Sequence, residues 1–197
     1  MTSVVPPKTE RVSSILEAAC RVVVRDGAHG LRMASVAREA GVSKALVHYY
    51  FSTRQELLRN ALVFSEERWD EAISAELAEL DTGAARVERV LLASVDPQSQ
   101  FREQRALWNE VWSTLRLDDE LRPLVDRYYH AWIDRIVELV QEGQADGSVR
   151  ADVVAEDAGL RLAAAADGFD SLIYLDLVDR DGARRLLLGA LARELGT

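Results

Sequence analysis

Apolar residues recur along almost the whole chain at spacings of three and four, the period of a helix with one buried face. Val12, Ile15, Leu16, Ala19, Val22 and Val23 predict a first helix over residues 9–26, with Thr9 as its cap. Asp26-Gly27 and His29-Gly30 end it. Met33, Val36, Ala37 and Ala40 keep the i, i+3, i+4, i+7 spacing and predict a short second helix over 33–40. Gly41 suits a reversal, because a residue without Cβ adopts φ > 0 at a helix end. Val42 is apolar and fills the gap between helices. Ser43 is a good N-cap for a third helix over 44–50, its hydroxyl accepting from a free backbone N–H. Ser52-Thr53 then cap a long fourth helix starting near Arg54 and carrying Leu57, Leu58, Ala61, Leu62 and Phe64. No Pro/Gly/Ser linker interrupts it, so movement at one end is expected to be transmitted to the other.

Beyond residue 80 the pattern gives further helices and no strands. Asp81-Thr82-Gly83 and Asp96-Pro97 are breaks. Residues 98–115 carry Phe101, Leu107, Trp108, Val111, Trp112 and Leu115. Residues 119–142 carry Leu124, Tyr128, Trp132, Ile136, Leu139 and Val140, with Gly143 as the stop and 145–148 as a turn. Asp152 is read as the start of a helix to Val178, and Asp179-Arg180-Asp181-Gly182 as the connection to a last helix ending near Leu195. The expected architecture is all-α with about nine helices. An N-terminal helix-turn-helix domain over 1–54 is followed by a helical domain over 55–197 for ligand binding and dimerisation. Residues 1–8, with Pro6-Pro7, are expected to stay disordered.

A short helix, a three-residue turn containing Gly and a second short helix make a helix-turn-helix, whose second helix enters the major groove of DNA. The extended stretch AGVSKALVHYYFSTRQELL resembles the TetR family of bacterial transcriptional repressors over roughly residues 10–60. Arg32 departs from the family, standing where Thr or Ser commonly caps the second helix. Leu46 stands where many members place a small or hydroxyl residue. The resemblance carries Ser43, Lys44, Tyr49, Tyr50 and Arg54 over as DNA-binding positions, and implies a dimeric repressor of the all-α class. On chemistry, Lys44 approaches bases or phosphate, and Ala45 permits close approach. Leu46 fits a thymine methyl. His48, Tyr49 and Tyr50 offer donors to phosphate oxygens. Arg54, at a helix head, suits a backbone phosphate. Arg32 and Arg38 flank the second helix as further phosphate contacts, although Arg38 with Glu39 also reads as a solvated pair. Val47 and Phe51 read as core, and one of the two tyrosines also reads as packed inward.

The charge changes this picture only when it is divided. The chain carries a net −9, which disfavours nucleic acid. Residues 1–54 hold eight Lys or Arg against four Asp or Glu, a net of +4, and the remainder carries −13. Attraction for phosphate therefore sits at the N-terminal end. A single cysteine, Cys20, excludes an internal disulfide and a multi-cysteine metal site, and on its apolar face it reads as a buried thiol. No apolar run approaches the ~20 residues of a membrane span, and the start has no apolar secretory segment. The expected setting is cytoplasmic, without membrane association.

Seven residues of helix do not supply operator-level affinity, so a two-fold operator read by a homodimer is expected, with recognition helices ~34 Å apart. The last two helices are the dimer candidates. The run Ala163–Ala166 permits close approach, and Leu186, Leu187, Leu188, Ala190, Leu191 and Leu195 give a wide apolar face. Burial within one subunit accounts for part of each face. The stretch LRLAAAADGFDSLIYL also resembles the C-terminal domain of BetI-like members, which respond to choline.

Trp108, Trp112, Tyr128, Tyr129, Trp132, Phe169 and Tyr174 supply aromatic area among the later helices, and Asp167, Asp170 and Tyr174 share a helical face at i, i+3, i+7. Trp108, Trp112, Tyr128, Trp132, Asp167, Asp170 and Tyr174 are therefore the candidate ligand-binding residues. Rings with carboxylates suit a cationic or amphipathic effector; the same residues also read as ordinary core. No cofactor, metal site or catalytic residue is expected. His29, His48 and His130 are scattered, and His130 with Asp134 at i, i+4 reads more simply as a structural pair. A DNA-binding dimer without a ligand, or an activator of the same fold, is the alternative.

Overall fold

The computed structural model describes residues 8–95, 102–114 and 121–196. Among them are nine α-helices and one 3-10 turn, and no strand. They are α1 (Lys8–Asp26), the 3-10 turn (Ala28–Gly30), α2 (Met33–Glu39), α3 (Lys44–Tyr50), α4 (Arg54–Ala78), α5 (Gly83–Ala93), α6 (Arg102–Thr114), α7 (Arg122–Asp146), α8 (Ala155–Tyr174) and α9 (Arg180–Leu195). They form two compact units. One is drawn from Met1–Asp70 and Glu103–Leu124, the other from Glu71–Arg102 and Val125–Thr197. Each unit therefore takes a share of the unbroken α4, and α6 belongs with the N-terminal helices. Residues 1–7, 96–101 and 115–120, which include the expected Asp96-Pro97 break, lie outside the described residues.

In the first unit, α1 packs on α2 and α2 on α3. Ile15, Ala18, Ala19, Val22 and Val23 of α1 are fully buried, as are Val36, Val47, Leu57, Ala61, Leu62, Leu107 and Val111. Cys20 is buried, its thiol directed at the Ala61 carbonyl at 3.5 Å. Arg21 and Arg25 of α1 both reach Glu39 at the end of α2, at 3.0 and 2.8 Å. Hydrogen bonds from Arg25 and then Arg21 hold the Glu39 carboxyl below the usual carboxylate range. These pairs are exposed and add little to stability. Their effect is to occupy Glu39 from α1, so that Arg38 is not paired with its neighbour in the way its sequence position allows.

The second unit packs α5, α8 and α9 against one another. Here glycine does different work from that read in the sequence. Gly143 does not end α7, which continues to Asp146. A Cβ on Gly83 would lie 2.1 Å from the Gly143 backbone nitrogen and 2.7 Å from the Leu139 carbonyl. Both glycines are there because the start of α5 lies directly on the α7 backbone. Asp146 then accepts from the Gly83 N–H at 2.7 Å, and Ser148 donates to its other oxygen at 2.8 Å. The Ser148 hydroxyl first, then these backbone N–H groups, hold the Asp146 carboxyl below its ordinary range. Gly147, at φ +82°, turns the chain out of α7.

Other boundaries also move. α1 opens at Lys8, which places Thr9 inside the helix instead of at its cap. Asp152 does not start α8; Val154 holds the N-cap position without a side-chain bond. α8 stops at Tyr174 instead of reaching Val178. The chain closes it with bonds from Leu177 N–H to Leu172 C=O and from Asp176 N–H to Ile173 C=O, 3.0 and 3.1 Å, with Asp176 at φ 54°. This is a Schellman closure with aspartate in the left-handed position usually given to glycine. Asp179 is the N-cap of α9, accepting from the Gly182 N–H at 2.7 Å, so the last helix starts inside the stretch read as a connection.

Gly83→Ala tests the α5–α7 contact. The added methyl meets backbone, which cannot swing aside, so unfolding free energy should fall by about 1–3 kcal/mol or more. Thermal denaturation reads this directly, and an unchanged melting temperature would contradict the close approach.

Candidate DNA interface and ligand-binding residues

The turn between α2 and α3 follows from three residues. Gly41 sits at φ +67° with open space where a Cβ would lie, so backbone conformation alone requires glycine there. Val42 N–H reaches the Ala37 carbonyl at 2.9 Å and Gly41 N–H the Arg38 carbonyl at 3.3 Å, the bonding of a second Schellman closure. Ser43 adopts extended geometry and its hydroxyl accepts from the Leu46 N–H at 3.1 Å, capping α3. Val47 and Phe51 anchor α3 from below, at 0% and 4% exposure.

With those two positions buried, the opposite face of α3 is fixed. Lys44, Ala45, His48 and Tyr49 are exposed, with Tyr49 at 74%, whereas Leu46 and Tyr50 are half-buried. The tyrosine rings meet edge to face, centroids 5.0 Å apart, so the half-buried Tyr50 supports the outward Tyr49. Arg32 and Arg38 are exposed at the two ends of α2. Arg32 occupies the N-cap position with no side-chain cap bond, the structural cost of its departure from Thr or Ser. Arg54 is placed differently from the expectation of a phosphate contact. Its guanidinium turns inward, donating from Nε to the Leu31 carbonyl at 3.1 Å and from Nη2 to the Ala28 carbonyl. It ties the head of α4 to the turn that precedes α2. Thr53 caps α4 by accepting from Glu56 N–H at 3.0 Å, and the Glu56 carboxylate accepts from Ser52 N–H at 2.7 Å.

The ligand candidates divide between the units. In the first, Trp108 donates its indole N–H to Glu66 Oε1, and Gln104 donates to the same oxygen at 2.6 Å. Burial pushes the Glu66 carboxyl above its ordinary value, and the Trp108 and Gln104 hydrogen bonds only partly offset this. The Trp112 side chain lies outside the described residues. In the second unit, Tyr129 donates its phenol to Asp167 Oδ2. Asp167, Asp170, Tyr128 and Trp132 are half-buried, and the Arg127 guanidinium lies 4.9 Å from the Tyr128 ring centre. Tyr174 does not join them. As the last residue of α8 it is 69% exposed, because the helix closes there before a further turn can cover it. His130 Nδ1 lies 2.7 Å from the Asp126 carbonyl, one turn back, instead of pairing with Asp134.

Two carboxylates escaped the reading of the sequence. Glu66 follows Leu58 and Leu62 at steps of four, so a charge on the buried stripe of α4 was the available signal. Glu110 of α6 accepts from the Ala28 N–H at 3.3 Å, and no local pattern points to that contact.

A capped three-helix reader with an outward basic and aromatic face, joined to a helical unit, defines a helix-turn-helix transcriptional regulator. Residues 15–61 match the model of the TetR family of bacterial regulatory proteins, and residues 83–196 match that of the BetI-type transcriptional repressor C-terminal domain. The chain belongs to the TetR family, with a BetI-type C-terminal domain. The regulator BetI of Brucella canis is 24% identical over 88% of this chain and 92% of its own length. BetI of Rhizobium meliloti is 31% identical over 60% of this chain and 58% of its own. Among solved structures, a transcriptional regulator from Saccharomonospora viridis in complex with choline is 28% identical, with a TM-score of 0.83, covering 92% of this chain and 95% of that one. A TetR-family regulator from Rhodococcus sp. is 27% identical, also with a TM-score of 0.83, covering 94% and 99%. Among the described residues no helix is long and apolar enough to cross a membrane.

Glu66 gives a prediction with a defined sign. Its folded-state value lies above the ordinary carboxylate value of 4.5, so the folded protein favours the protonated form. The stability this form contributes is present below that pH and is lost as pH rises through the folded value. Glu66→Gln, which stays neutral and keeps an acceptor for Trp108 and Gln104, should raise the melting temperature at pH 7 and leave it nearly unchanged near pH 4. Equal effects at both pH values would contradict burial as the cause.

Proposed function

We propose that the protein is a repressor that binds a two-fold operator as a homodimer and is released from it by a small cationic molecule. The observation that carries the DNA half is the outward face of α3, where Lys44, Ala45, His48 and Tyr49 are all exposed above a buried Val47 and Phe51. In this reading residues 1–54 read DNA, and residues 55–197 hold the ligand and the dimer contact. Lys44, Ala45 and Leu46 approach bases, Ser43 holds the helix end, and Tyr49, His48, Arg32 and Arg38 reach phosphates. Tyr50 and Arg54 act by positioning, since both are turned partly inward. The protein works in the cytoplasm, where its operator is.

The dimer reading rests on which faces of α8 and α9 are already used. Ala163, Ala166, Leu187, Leu191 and Leu195 are buried within the subunit. Leu160, Ala164 and Gly168 remain exposed at steps of four along α8, and Leu186 is exposed on α9. Arg161 bonds Glu194 at 2.9 Å, fixing the two helices to each other. These small and apolar outer positions fit a four-helix contact between two copies.

The effector reading rests on two carboxylate–aromatic pairs, one in each unit: the desolvated Glu66 with Trp108, and the half-buried Asp167 with Tyr129. Such pairs favour a compact cation through charge and ring quadrupole together. The choline held by the Saccharomonospora viridis regulator is of that chemistry. Release then follows if the cation binds a state with misplaced recognition helices more tightly than the DNA-bound state.

Mobility shift with DNA upstream of the protein's own and neighbouring genes is the direct test; no shift at low salt on any fragment would sink the DNA half. Tyr49→Phe should weaken binding on all sequences alike. Lys44→Ala or Leu46→Ala should change sequence preference, by ~1–3 kcal/mol at the affected base pair. Added choline should dissociate the complex while its neutral carbon isostere, 3,3-dimethylbutanol, does not. Equal release by both would remove charge from the effector reading.

A further inference from the structure

The turn Gly27–Leu31, which delivers the chain from α1 into α2, is gripped from both sides by opposite charges. Ala28, 1% exposed, is the centre of the grip. Its N–H donates to Glu110 Oε2 of α6 at 3.3 Å, and its carbonyl accepts from Arg54 Nη2 of α4. Arg54 Nε also holds the Leu31 carbonyl at 3.1 Å. Gly27 is at φ +76°, and a Cβ there would sit 3.1 Å from Glu110 Oε2, so the glycine also makes room for the carboxylate. All of these residues belong to the first unit.

We propose that Glu110 is a positioning residue for the DNA reader: its carboxylate, opposed by Arg54, sets the Gly27–Leu31 turn and with it the orientation of α2 and α3. The physical basis is the pair of peptides that flank the Ala28 Cα. The carboxylate holds the N–H of the 27–28 peptide and the guanidinium the carbonyl of the 28–29 peptide, so both are fixed by charge-assisted bonds, which are stronger than neutral ones. Loss of the carboxylate leaves a buried N–H without that acceptor, and the turn relaxes toward other partners. α2 starts two residues after Leu31, so a shift of the turn moves the start of the helix-turn-helix. Glu110 is carried by the same helix, α6, as Trp108 and Gln104, the residues that hold Glu66. A ligand that displaced α6 would therefore act on the turn through Glu110. That last step rests on the effector reading above; the positioning role itself requires only DNA binding.

The experiment compares Glu110→Ala and Glu110→Gln with the wild type on a duplex that the wild type selects from random sequence. Glu110→Ala should bind about tenfold more weakly, the loss of one charge-assisted hydrogen bond. Its salt dependence should stay unchanged, because no phosphate contact is removed. Amide exchange of residues 27–31 should be faster in Glu110→Ala. Glu110→Gln retains an acceptor oxygen and should restore most of the affinity and protection. Should Glu110→Ala fail to fold, Glu110→Asp withdraws the carboxylate by one methylene and carries the same expectation. Wild-type affinity in the alanine variant, equal weakening in alanine and glutamine variants, or an altered salt slope would each overturn the proposal. A wild type that binds beside an unaffected variant counts against Glu110 alone. A wild type that selects no duplex counts against operator binding as well.

Discussion

A helix of seven residues is not stable in water by itself, since nucleation is costly and few bonds repay it. α3 is such a helix, and it is the element expected to meet DNA. Its existence depends on burial of Val47 and Phe51 beneath it, each contributing about 1.5–3 kcal/mol, and on the Ser43 cap contributing about 1 kcal/mol. The same burial fixes its rotation. Once positions 47 and 51 face inward, positions 44, 45, 48 and 49 must face outward. The reading surface is thus a consequence of core packing in the first unit, which in turn requires α1, α2, α4 and α6.

That requirement explains the placement of charge inside the unit. Arg54 sits at a helix head where a phosphate contact is chemically reasonable, yet its guanidinium bonds two backbone carbonyls of the turn before α2. Both carbonyls belong to buried residues; that of Ala28 also accepts from the Leu31 N–H at 3.3 Å, and a buried carbonyl without a donor is costly, so Arg54 is committed to the turn. Glu110 answers the N–H of the same turn. Glu66 has a different position: burial raises its pKa, and its hydrogen-bond donors Trp108 and Gln104 are neutral. A carboxylate held in that way is disposed to gain from a cation, which is the basis on which it enters the proposed effector site.

Helical periodicity was enough to read the all-α fold, because a helix with one buried face writes its period into the sequence. The helix-turn-helix was legible in more detail. Gly41 and Ser43 act through their own backbone and side chain within a few residues, so their roles, a left-handed turn and a cap, are local. Gly143, Asp152 and Tyr174 were not legible. Gly143 looks like a helix stop unless the backbone of Gly83 is known to lie on it, and Asp152 looks like a cap unless the chain is seen to turn through residues 151–153 before the helix begins after Val154. Asp176 in a left-handed conformation is uncommon for any residue with a side chain.

The sequence by itself determined the helices, the DNA-reading motif and the positive N-terminal charge, since each depends on neighbours within one or two turns. Only the tertiary structure decided what the charged residues touch. Arg54 and Ala28 are 26 residues apart, Glu110 and Ala28 are 82 apart, and Trp108 and Glu66 are 42 apart. A hydrogen bond needs its partners within about 3 Å. No local pattern carries that information; it appears when the packed helices bring distant residues together.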